Sequence, residues 1–342
     1  MGLPRNCEIS IRSKFKKGGR NLITDVPNVK VGQVTLKNEE KDIHTGVTAI
    51  LPHTGNLFRN KVMAGASIIN GFGKSVGLVQ IEELGNIETP IIMTNTFGVG
   101  TAINALTKYM LKDNEDIGTT TSTVNCLVTE CNDGELNDIR GMHVTEENVL
   151  KALENCGNVF EEGAVGAGTG MCCLGVKGGI GSASRLVPCD GKGYTIGAIL
   201  MSNFGMPGNL MIDGRRIDTE NKAPKSKVEK GSTIIIIATD IPLNERQLKR
   251  VSKRATVALS RTGSFIGNGS GDIAIAFSNT NIVPHYSKKN IIETKMFHDD
   301  AMDKVFEATA EVVEEAIISS IYHAETVKGI RGNEVFGLRE FL

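Results

Sequence analysis

The segment that most constrains this chain is a glycine-rich stretch that runs directly into a short apolar strand. It reads Arg261-Thr262-Gly263-Ser264-Phe265-Ile266-Gly267-Asn268-Gly269-Ser270-Gly271-Asp272 and is followed by Ile273-Ala274-Ile275-Ala276-Phe277. Glycine lets the backbone take positive φ and approach its neighbours closely, and asparagine tolerates positive φ better than most residues with a side chain. We therefore expect a strained approach through Asn268 to a buried strand that begins at Ser270.

Two interpretations fit the hydroxyl at the start of this strand. A serine becomes a nucleophile beside a base, and the free α-amine of a chain end can be that base. The chemical interpretation is a precursor that cuts itself between Gly269 and Ser270, so that the new N-terminal serine carries out acyl chemistry. The structural interpretation is a glycine-rich turn that enters a buried strand, which is the commoner use of short Gly/Ser motifs.

Spacing excludes two other uses of the glycines. The nucleophile elbow of α/β-hydrolases needs glycine two residues on either side of the serine, but Asn268 and Asp272 stand there. The dinucleotide fingerprint G-x-G-x-x-G fails because its last position is Asp272. A second glycine-rich run, Gly163 to Gly170, fails in the same way at Met171. Neither run is a nucleotide-binding loop by this criterion.

The composition is that of an ordinary globular protein and excludes several classes of function. The chain has 342 residues, 40% of them hydrophobic, and a formal net charge of −1, so its length is ample for a buried core. A basic excess, the electrostatic footprint of nucleic-acid binding, is missing. No run of about 18 apolar residues could span a membrane. The segment Met1 to Lys17 has charges but no apolar core of a secretory signal.

The cysteines and histidines favour a cytoplasmic protein without a metal site. Seven cysteines are an odd number, and none forms a Cys-x-x-Cys pair. This pattern suits reduced thiols better than disulfides or zinc. The six histidines are scattered, without the spacing of a zinc site.

Hydrophobic periodicity predicts buried strands and one-sided helices. Residues 233–238 are nearly pure isoleucine, as expected of a strand buried on both faces, and 194–201 is a second buried strand. Residues 98–111, 244–261 and 300–325 carry apolar side chains at helical spacing. Such a mixture favours sheets covered by helices, in layers.

Polar groups at the ends of predicted strands are candidates for a site. Glu130, Asn203 and the Thr239-Asp240 pair each follow an apolar run. An asparagine amide can donate to a developing oxyanion, and a carboxylate can hold a substrate ammonium. Taken singly, Asn203 also suits a turn and Asp240 a helix N-cap.

Six segments, in one order along the chain, point to a known family. They are Ile69-Asn70-Gly71-Phe72-Gly73-Lys74, Thr94-Asn95-Thr96, Asn132-Asp133-Gly134-x-Leu136-Asn137-Asp138, Gly163 to Gly170, Lys177-Gly178-Gly179-Ile180-Gly181 and Asn268-Gly269-Ser270-Gly271-Asp272. With them the chain closely resembles the DmpA-like aminopeptidases, peptidase family S58, which include L-aminopeptidase D-amidase/D-esterase and the β-peptidyl aminopeptidases. The resemblance runs from Asn21 to Gly329 and makes chance agreement implausible.

This resemblance implies a fold and a processed protein. The fold is an α/β (α+β) four-layer α-β-β-α sandwich, similar to the N-terminal nucleophile hydrolases but of different connectivity. The whole chain, 1–342, is a single domain, which self-cleavage divides into an α chain, 1–269, and a β chain, 270–342. The resemblance further implies a homo-oligomer, a tetramer of processed protomers, that needs no cofactor and acts on small peptides, amides or esters.

The resemblance also assigns roles to residues. Ser270 is both the processing and the catalytic nucleophile, Asn203 falls on the oxyanion asparagine, and Glu130 falls where an acidic residue holds the free amine of the substrate. Backbone N–H groups of the Gly166–Gly170 loop are expected to join Asn203 in the oxyanion site. An aromatic residue commonly follows Asn-Asp-Gly in the family, whereas this chain has Glu135, a departure that bears on substrate preference.

Several alternatives stay open at this point. The family uses a carboxylate near the nucleophile, and Glu311 or Glu314 is the nominee here. Acyl transfer to an amine, as in the distantly similar ornithine acetyltransferases, is a rival chemistry, although their nucleophile is a threonine. An unprocessed binding or scaffold protein of the same fold is the rival from another class.

Overall fold

The computed structural model of the protein describes residues 11, 13–222 and 229–342. Most of the Met1 to Lys17 segment lies outside this description. In chain order the strands are β1 (Lys16–Lys17), β2 (Lys30–Asn38), β3 (Ile43–Leu51), β4 (Asn60–Ile68), β5 (Asn86–Ile87), β6 (Ile91–Asn95), β7 (Leu127–Cys131), β8 (Cys172–Cys173), β9 (Val176–Lys177), β10 (Ile180–Cys189), β11 (Lys192–Asn203), β12 (Met211–Ile212), β13 (Arg215–Arg216), β14 (Lys230–Thr239), β15 (Gly269–Pro284), β16 (Val327–Lys328) and β17 (Glu334–Val335). The α-helices are α1 (Leu78–Leu84), α2 (Val99–Lys112), α3 (Glu146–Glu154), α4 (Glu245–Ser252), α5 (Ala255–Arg261) and α6 (Met302–Tyr322).

Two larger sheets organise the described residues. One has seven strands in the order β1-β10-β11-β14-β15-β4-β5, and the other has four in the order β2-β3-β6-β7. Strands β14 and β15 run parallel over their whole pairing, from Lys230 opposite Gly269 to Thr239 opposite Ser278. Strands β6 and β7 are also parallel, whereas β11 pairs antiparallel with β14. The parallel pairs bring the start of β15 beside the start of β14.

The two sheets face each other across one hydrophobic core. Alternate residues of β15 enter it, namely Ile273, Ile275 and Phe277, together with Ile234 and Ile236 of β14. The four-stranded sheet contributes to the same core with Val31, Ile50, Ile91, Met93 and Leu127. This arrangement fills the space between the sheets because side chains alternate between the two faces of a strand.

Helices cover the outer face of each sheet. On the seven-stranded sheet, Ala274 and Ala276 of β15 pack in one core with Val251 of α4 and Val312 of α6. On the four-stranded sheet, Ile92 and Val128 pack with apolar residues of α2 and α3: Ala102, Ala105, Leu106, Val149, Ala152 and Leu153. The result is the expected α-β-β-α order of four layers.

One predicted helix is wrong in detail. The single helix expected over 244–261 is two helices, α4 and α5, which are separated by Lys253 and Arg254. The Ser252 hydroxyl donates to the Lys249 carbonyl at 2.9 Å, and this back-bonding competes with the regular helix ladder. Apolar periodicity continues through the break, so the sequence pattern does not reveal it.

Three further findings concern the described residues. None of their helices is long and apolar enough to cross a bilayer. Among them, no group of three or more His, Cys, Asp and Glu side chains could hold a metal ion. Six cysteines are free thiols: Cys126, Cys131, Cys156, Cys172, Cys173 and Cys189.

Candidate active site

The Gly269–Ser270 peptide lies at the very start of β15. The strand begins at Gly269, one residue earlier than expected, and Ser270 pairs with Gly231 of β14. The Ser270 N–H donates to the Gly267 carbonyl at 3.0 Å, which closes a turn directly before the strand. Gly271 must be a glycine, because a Cβ there would stand 2.4 Å from the Gly73 nitrogen.

Backbone strain before this strand lies at a different residue than expected. Asn268 does not have positive φ; among the described non-glycine residues near the strand, Ile266 does, at φ 57°. A β-branched residue in the left-handed region is an outlier that the surrounding structure must hold in place. The Ile266 N–H donates to the Ser264 hydroxyl at 3.0 Å, and the Gly267 N–H donates to the Glu229 carboxylate at 2.9 Å. The strained turn is therefore clamped on both sides of Ile266.

The Ser270 hydroxyl is fully buried and bonded to a carboxylate. It donates to Asp272 Oδ1 at 2.7 Å, which is the contact expected of residues i and i+2 on one face of a strand. Asp272 is itself 2% exposed. Burial raises the pKa of Asp272 from 3.8 to about 6, the Ser270 hydrogen bond lowers it, and the nearby Glu229 charge raises it.

A cavity of about 1080 Å³ opens beside the Gly269–Ser270 peptide. Its wall includes Gly269 and two of the other predicted site residues, Glu130 and Asn203. Among the described residues, three carboxylates line it, those of Glu130, Glu135 and Glu229, against one ammonium, that of Lys74. This imbalance favours a cationic group in the cavity.

Glu130 is a buried acceptor at the end of β7. It is 2% exposed, and its Oε1 accepts from the Lys74 N–H at 2.8 Å. The Thr96 hydroxyl donates to its other oxygen. No Lys or Arg side chain among the described residues forms an ion pair with it, so its charge is available to a ligand.

Asn203 is held in one orientation at the end of β11. Its Oδ1 accepts from the Cys172 N–H at 3.0 Å, and its Nδ2 donates to the Asn132 carbonyl at 2.9 Å. An amide nitrogen carries two hydrogens, so one N–H remains beside the cavity. Asn203 pairs with Ser232 of β14, and it therefore lies two strands away from Ser270.

Two of the family segments are joined beneath this site. Asn95 Nδ2 donates to Asp133 Oδ2 at 3.1 Å, and Asn137 Nδ2 donates to Asp133 Oδ1 at 3.1 Å. Burial raises the pKa of Asp133 to about 6, while the hydrogen bonds lower it. The neighbours of this buried centre are Thr96, which bonds Glu130, and Asn132, which bonds Asn203. These contacts indicate that the two segments hold the cavity wall in place.

The intact chain brings Glu130, Asn203 and Gly269 to one cavity but turns the Ser270 hydroxyl away from it. Side chains alternate between the two faces of a strand, so Ser270 lies on the same face of β15 as Ala274 and Ala276, which pack against helices. Gly271 lies on the other face, next to Gly73 on the cavity side. Consistently, Ser270 is buried at 0% exposure and is not part of the cavity wall.

The Gly166–Gly170 loop does not supply the expected oxyanion donors. The Gly166 N–H donates to the Thr35 hydroxyl at 2.8 Å, and the Ala167 N–H donates to the Thr48 hydroxyl at 3.1 Å. The cavity is instead lined by the residues that follow, Cys172 to Gly175.

A buried lysine fixes this following segment. Lys177 is 0% exposed, and its Nζ donates to the carbonyls of Met171 at 2.7 Å, Gly178 at 2.8 Å and Gly168 at 3.2 Å. Burial lowers the pKa of Lys177 to about 8. Because the N–H of the Met171–Cys172 peptide bonds Asn203, the lysine holds the same peptide unit from its carbonyl end.

The nominated carboxylates Glu311 and Glu314 are bound elsewhere. Glu311 accepts from Arg185 Nε at 3.0 Å and from the Ser13 hydroxyl at 2.8 Å. Glu314 accepts from Arg261 at 3.0 Å. Neither bonds Ser270. The carboxylate at the hydroxyl is Asp272, to which the sequence analysis assigned no chemical role. The i, i+2 spacing on a strand was the signal that could have found it.

Comparisons with known proteins place the chain in a family. The model of peptidase family S58 matches residues 21–335. The β-peptidyl aminopeptidase BapA of Sphingosinicella microcystinivorans is 36% identical over 353 residues, which cover 96% of this chain and 88% of that protein. The crystal structure of the PH0078 protein from Pyrococcus horikoshii OT3 superposes with a TM-score of 0.91 at 53% identity, and the match covers 97% of this chain and 94% of the other.

A third similar protein is an enzyme of described activity. The L-aminopeptidase D-Ala-esterase/amidase of Ochrobactrum anthropi, described as a prototype for the serine aminopeptidases and a new variant of the Ntn hydrolase fold, superposes with a TM-score of 0.89 at 36% identity. The match covers 96% of this chain and 93% of that one. These findings confirm the expected mixed α/β sandwich and the assignment to hydrolases of the serine aminopeptidase type. The chain belongs to peptidase family S58.

Proposed function

We propose that the protein cuts its own Gly269–Ser270 bond and then works as an aminopeptidase with Ser270 as nucleophile. Its substrates are short peptides, amides or esters with a free amine, from which it releases the N-terminal residue. One observation carries the proposal: the Gly269–Ser270 peptide borders a cavity that Glu130 and Asn203 also line. In this proposal 1–342 is one domain, because β14 and β15 stay paired when the chain is cut into 1–269 and 270–342.

Cleavage makes Ser270 a chain end. The residue loses the peptide bond that fixes its φ, so its hydroxyl is free to turn from Asp272 towards the cavity. Its new α-amine, with a reference pKa of about 8, accepts the hydroxyl proton when a substrate binds. The same residue then carries both the nucleophile and its base.

The cavity supplies the other two functions of the mechanism. Glu130 holds the substrate ammonium by charge-assisted hydrogen bonds, which the acidic lining supports. The free N–H of Asn203 donates to the oxyanion of the tetrahedral intermediate, a contact typically worth about 3 kcal/mol of barrier. The intermediate then collapses to the acyl-enzyme as the α-ammonium of Ser270 gives its proton to the leaving amine or alcohol. Water hydrolyses the acyl-enzyme, restores the Ser270 hydroxyl and releases the amino acid.

Location and assembly are further parts of the proposal. Free thiols at six described positions support a reducing, cytoplasmic compartment. Large exposed apolar side chains support a homo-oligomer: Ile68, Phe72, Val79, Leu84 and Phe97.

Aminoacyl p-nitroanilides test the activity. The wild type is expected to release p-nitroaniline from a substrate with a free amine and not from its N-acetylated form. The matched control is Ser270→Ala, which should release none. Equal rates on both substrates, or turnover by the alanine variant, would count against the proposed function. Release that needs an added amine acceptor would indicate acyl transfer instead of hydrolysis.

A further inference from the structure

The geometry points to Asp272 as the general base that starts the cleavage of the Gly269–Ser270 bond, an inference that rests on the proposed function. The need for such a group is chemical. In the intact chain the Ser270 nitrogen belongs to a peptide bond and cannot accept a proton. The amine that serves the mature enzyme does not yet exist, so another group must take the proton of the hydroxyl.

Asp272 is the group in contact with that proton. The Ser270 hydroxyl donates to Asp272 Oδ1 at 2.7 Å, which is within the distance required of a general base. The two other carboxylates nearby are engaged with different donors. Glu229 accepts from Gly267 N–H and from Ser264, and Glu130 accepts from Lys74 N–H and from Thr96.

The surroundings of Asp272 strengthen it as a base. The groups that face it are the Ser270 hydroxyl on its own strand, the backbone of Thr233 on β14 and the charge of Glu229 before β14. Cys131 of the opposite sheet is also close enough for the charge of Asp272 to raise the pKa of its thiol. Burial is the largest influence and raises the pKa of Asp272 to about 6. At neutral pH the carboxylate is ionised, yet it binds a proton more tightly than an exposed aspartate does.

The atoms of the step balance without a co-reactant other than water. Asp272 takes the hydroxyl proton while Ser270 Oγ bonds the Gly269 carbonyl carbon. The C–N bond then breaks, and the nitrogen receives the proton back from Asp272. The products are an ester on Ser270 and a free α-amine. Water hydrolyses the ester, which leaves a carboxylate on Gly269 and restores the Ser270 hydroxyl.

The experiment follows cleavage in newly made full-length chains. Wild type, Asp272→Asn, Ser270→Ala and Asp240→Asn are synthesised in a cell-free system with a short labelled pulse, and fragments are separated on denaturing gels. Asp240 is the matched control, since it is a partly buried aspartate whose pKa is also raised by burial. It accepts from Thr195 N–H at 2.6 Å, beyond the far end of β14 and about 30 Å from Ser270.

The expected results distinguish a failure of the general-base role of Asp272 from a failure of the proposed self-cleavage. Asp272→Asn keeps the size of the side chain and should cut at least about 100-fold more slowly than wild type, whereas Asp240→Asn should cut at the wild-type rate. Cleavage of Asp272→Asn at the wild-type rate overturns the role of Asp272 but leaves self-processing intact. A wild type that is never cut overturns the proposed function itself.

A pH profile covers the case in which Asp272→Asn misfolds. The wild-type cleavage rate should be constant above pH 7 and should fall about tenfold per pH unit below about pH 6, as Asp272 becomes protonated. A purely structural Asp272 would not produce this profile in the wild type. A rate that is flat from pH 8 to pH 4.5 contradicts the inference.

Discussion

Two buried charged clusters lie on the helix-facing side of the same sheet, and they differ in how their charges are paired. At β10, Arg185 donates to Glu315 at 2.5 Å and to Glu311 at 3.0 Å, and Lys17 adds a bond to Glu315 at 2.6 Å. At β15, Asp272 has a hydroxyl as its partner. The first cluster is neutralised, and the second is not.

The pKa values follow this difference. Burial alone would raise the pKa of Glu315, but the charges and hydrogen bonds of Arg185 and Lys17 bring it below its usual value. Among the described residues no cation pairs with Asp272, and burial keeps its pKa raised, at about 6. A paired buried charge holds the sheet and helix together, whereas an unpaired buried acid is able to move a proton. For this reason we expect Glu311 to stabilise the fold, whereas the environment of Asp272 suits the proton transfer proposed for it.

The largest expected effect tests the cluster at β15, which consists of Ser270 and Asp272. Ser270→Ala removes the nucleophile, so self-cleavage and turnover should both fall by at least about 10⁴-fold. The fold should be retained, because the change deletes one buried hydroxyl. Denaturing gels and p-nitroanilide assays measure the two losses, and circular dichroism checks the fold. Cleavage by this variant would show that another residue is the nucleophile.

The next effect tests the cluster at β10, in which Arg185 and Lys17 pair with Glu311 and Glu315. Arg185→Met leaves Glu311 buried without the cation that pairs with it and leaves Glu315 with Lys17 alone. It should destabilise the protein by about 3–5 kcal/mol. Chemical denaturation measures this loss. The control is Arg261→Ala, which breaks the half-exposed pair with Glu314 and should cost about 0–1 kcal/mol. Similar losses in both variants would remove the distinction drawn for the Arg185 cluster.

Substrate binding gives a smaller effect. Glu130→Gln keeps the bonds from Lys74 N–H and Thr96 possible but removes the charge that holds an ammonium. KM for substrates with a free amine should rise about 10- to 100-fold, since a hydrogen bond to a charged group is worth about 1.5–3 kcal/mol. Steady-state kinetics measures the change, and Glu135→Gln on the exposed side of the cavity is the comparison variant. An unchanged KM for Glu130→Gln speaks against its role.

The smallest effect concerns stability and has an unusual sign. The folded-state pKa of Asp272 is raised from 3.8 to about 6, so folded protein holds this proton more tightly than unfolded chain. This contribution to stability is present below about pH 4 and is lost as the pH rises to about 6. Asparagine does not ionise, so the Asp272→Asn variant does not lose stability as the pH rises. It should be more stable than wild type by about 1–2 kcal/mol at pH 8.

Denaturation midpoints at pH 4.5 and pH 8 check this prediction. They are best measured in the Ser270→Ala background, in which both chains stay uncut. A variant that is less stable than its parent at pH 8 would mean that Asp272 stabilises the fold, as the paired carboxylates do.

The sequence predicts the elements that depend on local pattern. The isoleucine run became β14, and the last long helix became α6, because both are buried faces with a simple period. Strand ends and the family resemblance pointed to Glu130 and Asn203, and the segment 268–272 pointed to Gly269. The fold brings these three residues to one cavity.

What the sequence could not predict depends on distant partners. The partner of Glu311 is Arg185, 126 residues away, and no local pattern distinguishes that glutamate from a catalytic one. The strain at Ile266, and not at Asn268, depends on contacts with Glu229 and Ser264. The break between α4 and α5 depends on a serine side chain that bonds its own helix.

Intact-mass spectrometry of newly purified protein, followed over time beside the p-nitroanilide assay, tests the central claim most directly. The account predicts that the full-length mass gives way to two masses, for 1–269 and 270–342, whose sum exceeds the precursor by one water. Activity should rise in proportion to the fraction cut. A chain that stays whole and is fully active would contradict the account.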